Sequence, residues 1–439
     1  MKYYLYLSCG IIFLWLLAAC NPAPQMTATS LPIIATVSPT PKIVPPTPTL
    51  EKSNLSQSTP TTASPVETTT LILWEGLPAA QSEQLTADLQ TFQAAYPHYR
   101  IELHHYNDSA EFATAVLVDQ TPFDLVLAAP PLLNQLWLTK KVAPMADFFP
   151  ASFINNFAGV TLQGASRNGE LWGLSDTAGF QLLLFYNHDL VETPPTSMAE
   201  LLAQAKTITE TTGHAGLGFN SYDPLWLIPW LAPYNGWLTD ETGQPTLNSL
   251  GMEAALTNYL AWQRAPGVLP SSNYDAIRKQ FVQGQLAFMI DGDWAINELT
   301  QVNNLNWGVT PLPTLGASSQ PAAPLVLARY WAISRQVKGR HAQAAAAFVT
   351  FITRSERQLA CAKQFGQLPT QRAALNDRRL LDNPLLRPSV TQMLSGRGLL
   401  LGVEANLLLE AMRFPLAQAL DGKLPVKAAI EAMQQNAAP

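Results

Sequence analysis

Cysteine is scarce in this chain. Its 439 residues include three, Cys9, Cys20 and Cys361, and the first two fall within the first twenty positions. With Cys9 in a leader and Cys20 taken up by lipid, as read below, Cys361 has no partner. A disulfide scaffold is therefore excluded, and an ordinary apolar core must hold the fold. Charge is also sparse: Asp, Glu, Lys and Arg make up 13% of the chain, against about 25% in average soluble proteins. The balance is mildly acidic, at −6, and no basic run occurs, which argues against a nucleic-acid partner. Motifs of common chemistry are missing. There is no G-x-S-x-G elbow, and Gly213, Gly216 and Gly218 do not follow a strand as a phosphate loop would. His104 and His105 are adjacent, hence on opposite faces of a strand, and no spacing fits a zinc site. No metal and no cofactor is expected. Beyond the first twenty residues no apolar run reaches the roughly 20 residues of a membrane span.

The two ends of the first seventy residues differ in character. Lys2 precedes an apolar stretch from about Leu5 to Leu17, the length of a secretory h-region. Leu17-Ala18-Ala19-Cys20 then resembles the bacterial lipobox, where a diacylglycerol is added to the cysteine and the signal is cut before it. The expectation is a signal peptide over 1–19 and lipidation at Cys20, which places the protein outside the cytoplasm, held to the cell membrane by lipid. From Asn21 to Thr70 there is no aromatic residue and no glycine, while Pro and Thr dominate. Such a segment cannot bury enough apolar surface to offset its ordering entropy. Residues 20–69 are read as a disordered spacer, reaching roughly 40 Å if coiled and about 150 Å if extended.

From Leu71 onward the composition is globular and the length fits two lobes. Thr70–Trp74 reads as a strand, and Leu85, Leu89, Phe92 and Tyr96 fall on one face of a helix that Pro97 stops. Phe123–Ala128, apolar but for Asp124, is a run typical of a buried parallel strand. Strands are expected again at Leu182–Tyr186, Leu217–Asn220, Leu286–Ile290 and Trp331–Ser334. Ser197 is the N-cap of a helix from Met198, and Asp293 caps a helix beginning at Trp294. Helix and strand in alternation argue an α/β fold.

The order of several segments is similar to one family. Leu71-Ile72-Leu73-Trp74-Glu75-Gly76, Phe92-Gln93-Ala94-Ala95-Tyr96-Pro97, Asn168-Gly169-Glu170-Leu171-Trp172-Gly173-Leu174 and Tyr186-Asn187-His188-Asp189-Leu190 come first. Phe281 to Trp294, ending in Asp291-Gly292-Asp293-Trp294, carries most of the likeness, and Trp307-Gly308-Val309 and Asp421-Gly422-Lys423 continue it. Together they resemble family 1 extracellular solute-binding proteins of ABC importers, of the maltose/maltodextrin-binding type. The resemblance implies a two-lobed α/β fold with a hinge and a central cleft, lobe one at 70–178 plus 329–378 and lobe two at 180–327 plus 380–437. It implies a monomer that captures a small solute, a mono- or oligosaccharide, and passes it to the permease subunits of an importer, with no catalysis. A surface-tethered carbohydrate-active enzyme and a sensor or structural lipoprotein of the same fold are the rival readings.

Sugar sites pair aromatic faces with polar groups that fix orientation. The resemblance puts a stacking role on Trp294 and a polar contact on Asp223. Trp226 and Trp230 lie in the same aromatic stretch, and at helical spacing they fit core packing equally. Trp74 ends the first strand, which opens onto the cleft loop in the family, and fits core packing ahead of ligand contact; Glu75 after it is a candidate polar contact, and one of Arg329, Tyr330 and Trp331 is expected to face the cleft. The chain departs from the maltodextrin pattern in three places. The loop after the first strand reads Leu77-Pro78-Ala79-Ala80, a second polar cluster is replaced by Ala128-Ala129-Pro130-Pro131, and Phe180, Leu225 and Leu409 stand where an acidic residue and two aromatics would. A less polar cleft follows.

Overall fold

The computed structural model describes residues 68–118, 122–316 and 321–437. The expected signal peptide, the lipidation site Cys20 and almost all of the Pro/Thr segment lie outside the described residues. Twelve strands are described: β1 Thr69–Glu75, β2 Tyr99–His105, β3 Leu125–Ala128, β4 Ser166–Arg167, β5 Glu170–Leu171, β6 Leu174–Gly179, β7 Leu182–Asn187, β8 Ala215–Asn220, β9 Val268–Ser271, β10 Leu286–Gly292, β11 Trp307–Thr310 and β12 Leu327–Ile333. Helices of five residues or more are numbered α1 Ala79–Ala95, α2 Ser109–Val118, α3 Pro130–Leu138, α4 Met198–Thr212, α5 Leu250–Gln263, α6 Tyr274–Val282, α7 Ala295–Leu299, α8 Gly339–Ile352, α9 Ser355–Phe365, α10 Leu386–Ser395, α11 Ala405–Leu420 and α12 Val426–Asn436.

Two five-stranded sheets organise the chain. The first has the order β2-β1-β3-β12-β6, the second β11-β7-β10-β8-β9. In the first, β1 runs parallel to β2 and β3, and β12 returns antiparallel between β3 and β6. In the second, β10 is parallel to β8 and antiparallel to β7. Helices cover both faces, so central strands such as β3 and β10 are buried along their whole length and read as unbroken apolar runs. Alternation along β1 and β12 sorts side chains to two cores: Trp74 and Tyr330 go to one, Leu73 and Trp331 to the other.

Local signals set the element ends. Ser197 accepts from the Glu200 backbone N–H, and Glu200 reaches back to form a capping box, while Gly213 at φ 76° ends α4. Asn168 and Gly169, at φ 52° and 79°, turn the short β4–β5 hairpin in the left-handed conformation such turns demand.

The chain passes between the sheets at Phe180–Gln181, joining β6 to β7, and returns between β11 and β12. β12 begins at Leu327, two residues before the lobe limit read at 329. Leu380, Val390, Met393 and Leu401 pack into a core of the first sheet, while α10 also touches β7 and β11. The segment from 380 to about 401 is thus shared by both halves rather than belonging wholly to the second.

Candidate functional site

A cleft of about 1040 Å³ lies between the two sheets and is walled by both, at the upper end of the size range of small-molecule sites (about 300–1,000 Å³). Its base is formed by Thr177–Phe180 and Leu327–Arg329, where strands leave and enter the first sheet.

Strand β10 delivers Trp294 to this cleft. A Cβ on Gly292 would run into the indole, so glycine lets the ring fold back over the strand end. The indole N–H donates to the Tyr274 hydroxyl at 2.9 Å, and that hydroxyl donates to the buried Asp291 at 2.7 Å. Arg278 lies 3.5 Å from Asp291 and 2.7 Å from Glu298. Tyr274 is presented at the start of α6, which Asn273 caps by accepting from the Ala276 N–H at 3.0 Å. Burial raises Asp291 to about 6 against the pull of Arg278 and Tyr274.

Asp293 does not cap the next helix as the sequence suggested. Helix α7 begins at Ala295, and the Asp293 carboxylate accepts from the Phe180 N–H at 3.1 Å, while the Asp293 N–H donates to the Gln181 carbonyl at 3.0 Å. The end of β10 is thereby fastened to the passage between the sheets. Burial raises Asp293 to about 7, with the Phe180 N–H opposing it. Phe180 itself sits at φ 75°, an uncommon conformation for a bulky residue. Its ring lies in the cleft, 5.2 Å from that of Trp294.

Asp223 and Trp226 also line the cleft. Asp223 caps a short turn by accepting from the Leu225 N–H at 3.0 Å, and it pairs with Arg413 at 3.4 Å. Trp226 is 5% exposed and donates to the Ile290 carbonyl at 2.8 Å, so one ring serves wall and core together. Of the three consecutive candidates on β12, Arg329 reaches the cleft. A register shift between Arg329 and Tyr330 separates it from its neighbours. Arg329 pairs with Asp176 at 3.4 Å and donates to Gln81 at 2.8 Å.

The other candidates are corrected. Trp74, Trp230 and Trp331 are each at most 1% exposed and lie in the cores, away from the cleft. Trp74 stacks on His104 at 5.7 Å, and Trp230 meets Trp262 at 5.2 Å. Burying these large rings outweighs the cost of leaving the Trp74 and Trp331 indole N–H groups without a partner among the described residues. Tyr330 is buried against Gly164 and borders a small void of about 40 Å³ beside the cleft, not the cleft itself. Glu75 is fully buried, accepting from the Leu77 N–H, the Ser82 hydroxyl at 2.6 Å and the His105 ring at 2.8 Å. It shapes the loop after β1 instead of facing the cleft.

Leu77, Ala129, Pro130, Pro131, Phe180, Leu225 and Leu409 all border the cleft. Tyr274, Phe112, Leu117 and Asn406 border it too and escaped the sequence reading. For Tyr274 a signal was present: Asn273 is a helix cap, and the residue after a cap faces whatever the helix start faces.

A family model described as "Bacterial extracellular solute-binding protein" matches residues 89–388. A maltodextrin-binding protein of Bacillus subtilis is 25% identical over 211 residues, 44% of this chain and 49% of the relative. A maltooligosaccharide ABC transporter solute-binding lipoprotein of Streptococcus pneumoniae is 26% identical over 222 residues, 48% and 51%. The match thus spans about half the length of these curated relatives. A solved cyclic alpha-maltosyl-1,6-maltose binding protein from Arthrobacter globiformis superposes with a TM-score of 0.73 at 18% identity, covering 84% of this chain and 98% of that one.

Proposed function

The chain belongs to the bacterial extracellular solute-binding protein family, and from that premise we propose that it captures a saccharide in the cleft and delivers it to the permease subunits of an ABC importer. The observation that carries the saccharide reading is the Trp294 indole, held against Gly292 and by Tyr274 at the cleft wall with polar side chains around it. A fixed aromatic face beside hydrogen-bonding groups is the chemistry that stacks a sugar ring and orients its hydroxyls. The polar share falls to Asp223 and its neighbours. The curated relatives named for maltodextrin and maltooligosaccharides agree with this reading.

The proposal includes binding without reaction. Asp223 is held by its turn and Arg413, and Asp293 by the Phe180 N–H, so these two carboxylates have structural tasks, while Asp275 also borders the cleft. It also includes lipid attachment at Cys20, which keeps the binding unit outside the cytoplasm and near an importer. A monomer suffices for this role.

Thermal unfolding in the presence of sugars, polyols, amino acids and peptides is the direct test. A ligand at a hundredfold over its dissociation constant adds about 2.7 kcal/mol of stability. Maltose or maltotriose is expected to raise the unfolding temperature, with no release of reducing ends from a glycan. A flat response to every saccharide sinks the sugar assignment. Trp294→Ala is expected to keep the fold and lose at least tenfold in affinity.

A further inference from the structure

The two walls of the cleft differ in chemistry. On the side of the second sheet, Asn220, Asp223, Ser272, Asn273, Tyr274 and Asn406 surround Trp294. On the side of the first sheet the wall is Leu77, Phe112, Ala113, Leu117, Pro130 and Pro131. The apolar stretch itself supplies few donors, and the N–H groups at its edge belong to Gln135, Arg329 and Gln367. Pro130 and Pro131 have no N–H, the Leu77 N–H is held by Glu75, and the Ala129 carbonyl accepts from the Leu133 N–H at 3.0 Å. The polar side chains on that side are engaged within the protein. Gln135 donates to Glu404 at 3.2 Å, and Gln367 and Arg329 both donate to Gln81, at 3.1 and 2.8 Å. Ala113, Leu117, Pro130 and Pro131 are half-buried, so this apolar surface is open to an occupant.

We infer that the ligand is a glycoside: a saccharide whose polar part lies against the second-sheet wall and which carries an aryl or alkyl group against the apolar wall of the first sheet. The inference rests on the saccharide reading above. A hydroxyl placed on the apolar wall loses its water and gains no partner, whereas a hydrocarbon surface placed there gains from leaving water. The apolar wall is continuous with the wall that bears Trp294, in one cleft of about 1040 Å³, so a single molecule spans both.

Calorimetric titration of the purified chain with maltose, 4-nitrophenyl α-maltoside and 4-nitrophenol tests this. The maltoside is expected to bind at least tenfold tighter than maltose, and Leu117→Ser to bring the ratio of the two affinities toward one. Equal affinities for maltose and the maltoside overturn the glycoside inference and leave the saccharide reading standing. 4-Nitrophenol binding as tightly as the maltoside overturns both, as does no binding of either sugar together with a flat thermal response to every other saccharide.

Discussion

A Cβ at position 292 would lie within the space of the Trp294 indole. Gly292→Ala therefore drives the ring off the strand end and breaks its bond to Tyr274. The expected result is at least a tenfold loss of ligand affinity, with a stability cost of about 1–3 kcal/mol, both read by titration and thermal unfolding. Unchanged affinity would show that ring placement is irrelevant to binding. Tyr274→Phe isolates the other half of the support. It leaves the indole N–H and the buried Asp291 each short of one partner, which costs about 1–3 kcal/mol. At this scale the sequence was partly legible. Trp294 was singled out by the resemblance carried by Asp291-Gly292-Asp293-Trp294, and it lines the cleft. Trp74, Trp230 and Trp331 face inward, and which face of a strand or turn is covered depends on packing from distant segments.

Four elements meet at one buried cluster behind the base of the cleft. Asp88 comes from α1, Asp176 from β6, Arg329 from β12 and Arg357 from α9. Arg357 lies 3.1 Å from both Asp88 and Asp176, and Arg329 lies 3.4 Å from Asp176. Burial pushes Asp176 up, yet Arg329 and Arg357 outweigh it and hold the carboxyl below its ordinary value. Arg357→Met leaves two buried carboxylates undercompensated and is expected to cost about 3–5 kcal/mol in thermal unfolding; a change under about 1 kcal/mol would count against the cluster as a unit. Such a cluster is invisible in the sequence, since its members stand up to 269 positions apart. The elements themselves were readable. Ser197 and Glu200 announce α4, and the unbroken apolar runs of β3 and β10 announce central strands. The β-bulge between Arg329 and Tyr330 was not readable, and it decides which of three neighbouring residues reaches the cleft.

For the whole molecule, the raised acids set a pH profile. Asp291 and Asp293 lie at about 6 and about 7 in the fold, against about 3.9 when exposed. Between roughly pH 4 and 7 the folded state keeps protons that the unfolded state has released, so stability falls as pH rises through that window. Thermal unfolding from pH 4.5 to 7.5 is expected to show this fall, on the order of 5 kcal/mol, and Asp293→Asn to reduce it by about half. A wild-type profile that rises over the same range would refute the assignment. The two-sheet plan and its apolar cleft wall followed from segment order and from Leu77, Ala129, Pro130, Pro131, Phe180, Leu225 and Leu409. The precise handover near 380–401 did not, because one helix packs against both halves. The folded-back Trp294 ring has one more consequence. It lies at the cleft wall, 5.2 Å from Phe180 at the passage between the sheets, whereas Trp74, Trp230 and Trp331 are sealed in the cores. Ligand binding is therefore expected to change the fluorescence of Trp294, with Trp226 the other indole at the cleft, giving the molecule a label-free optical readout of its own cleft.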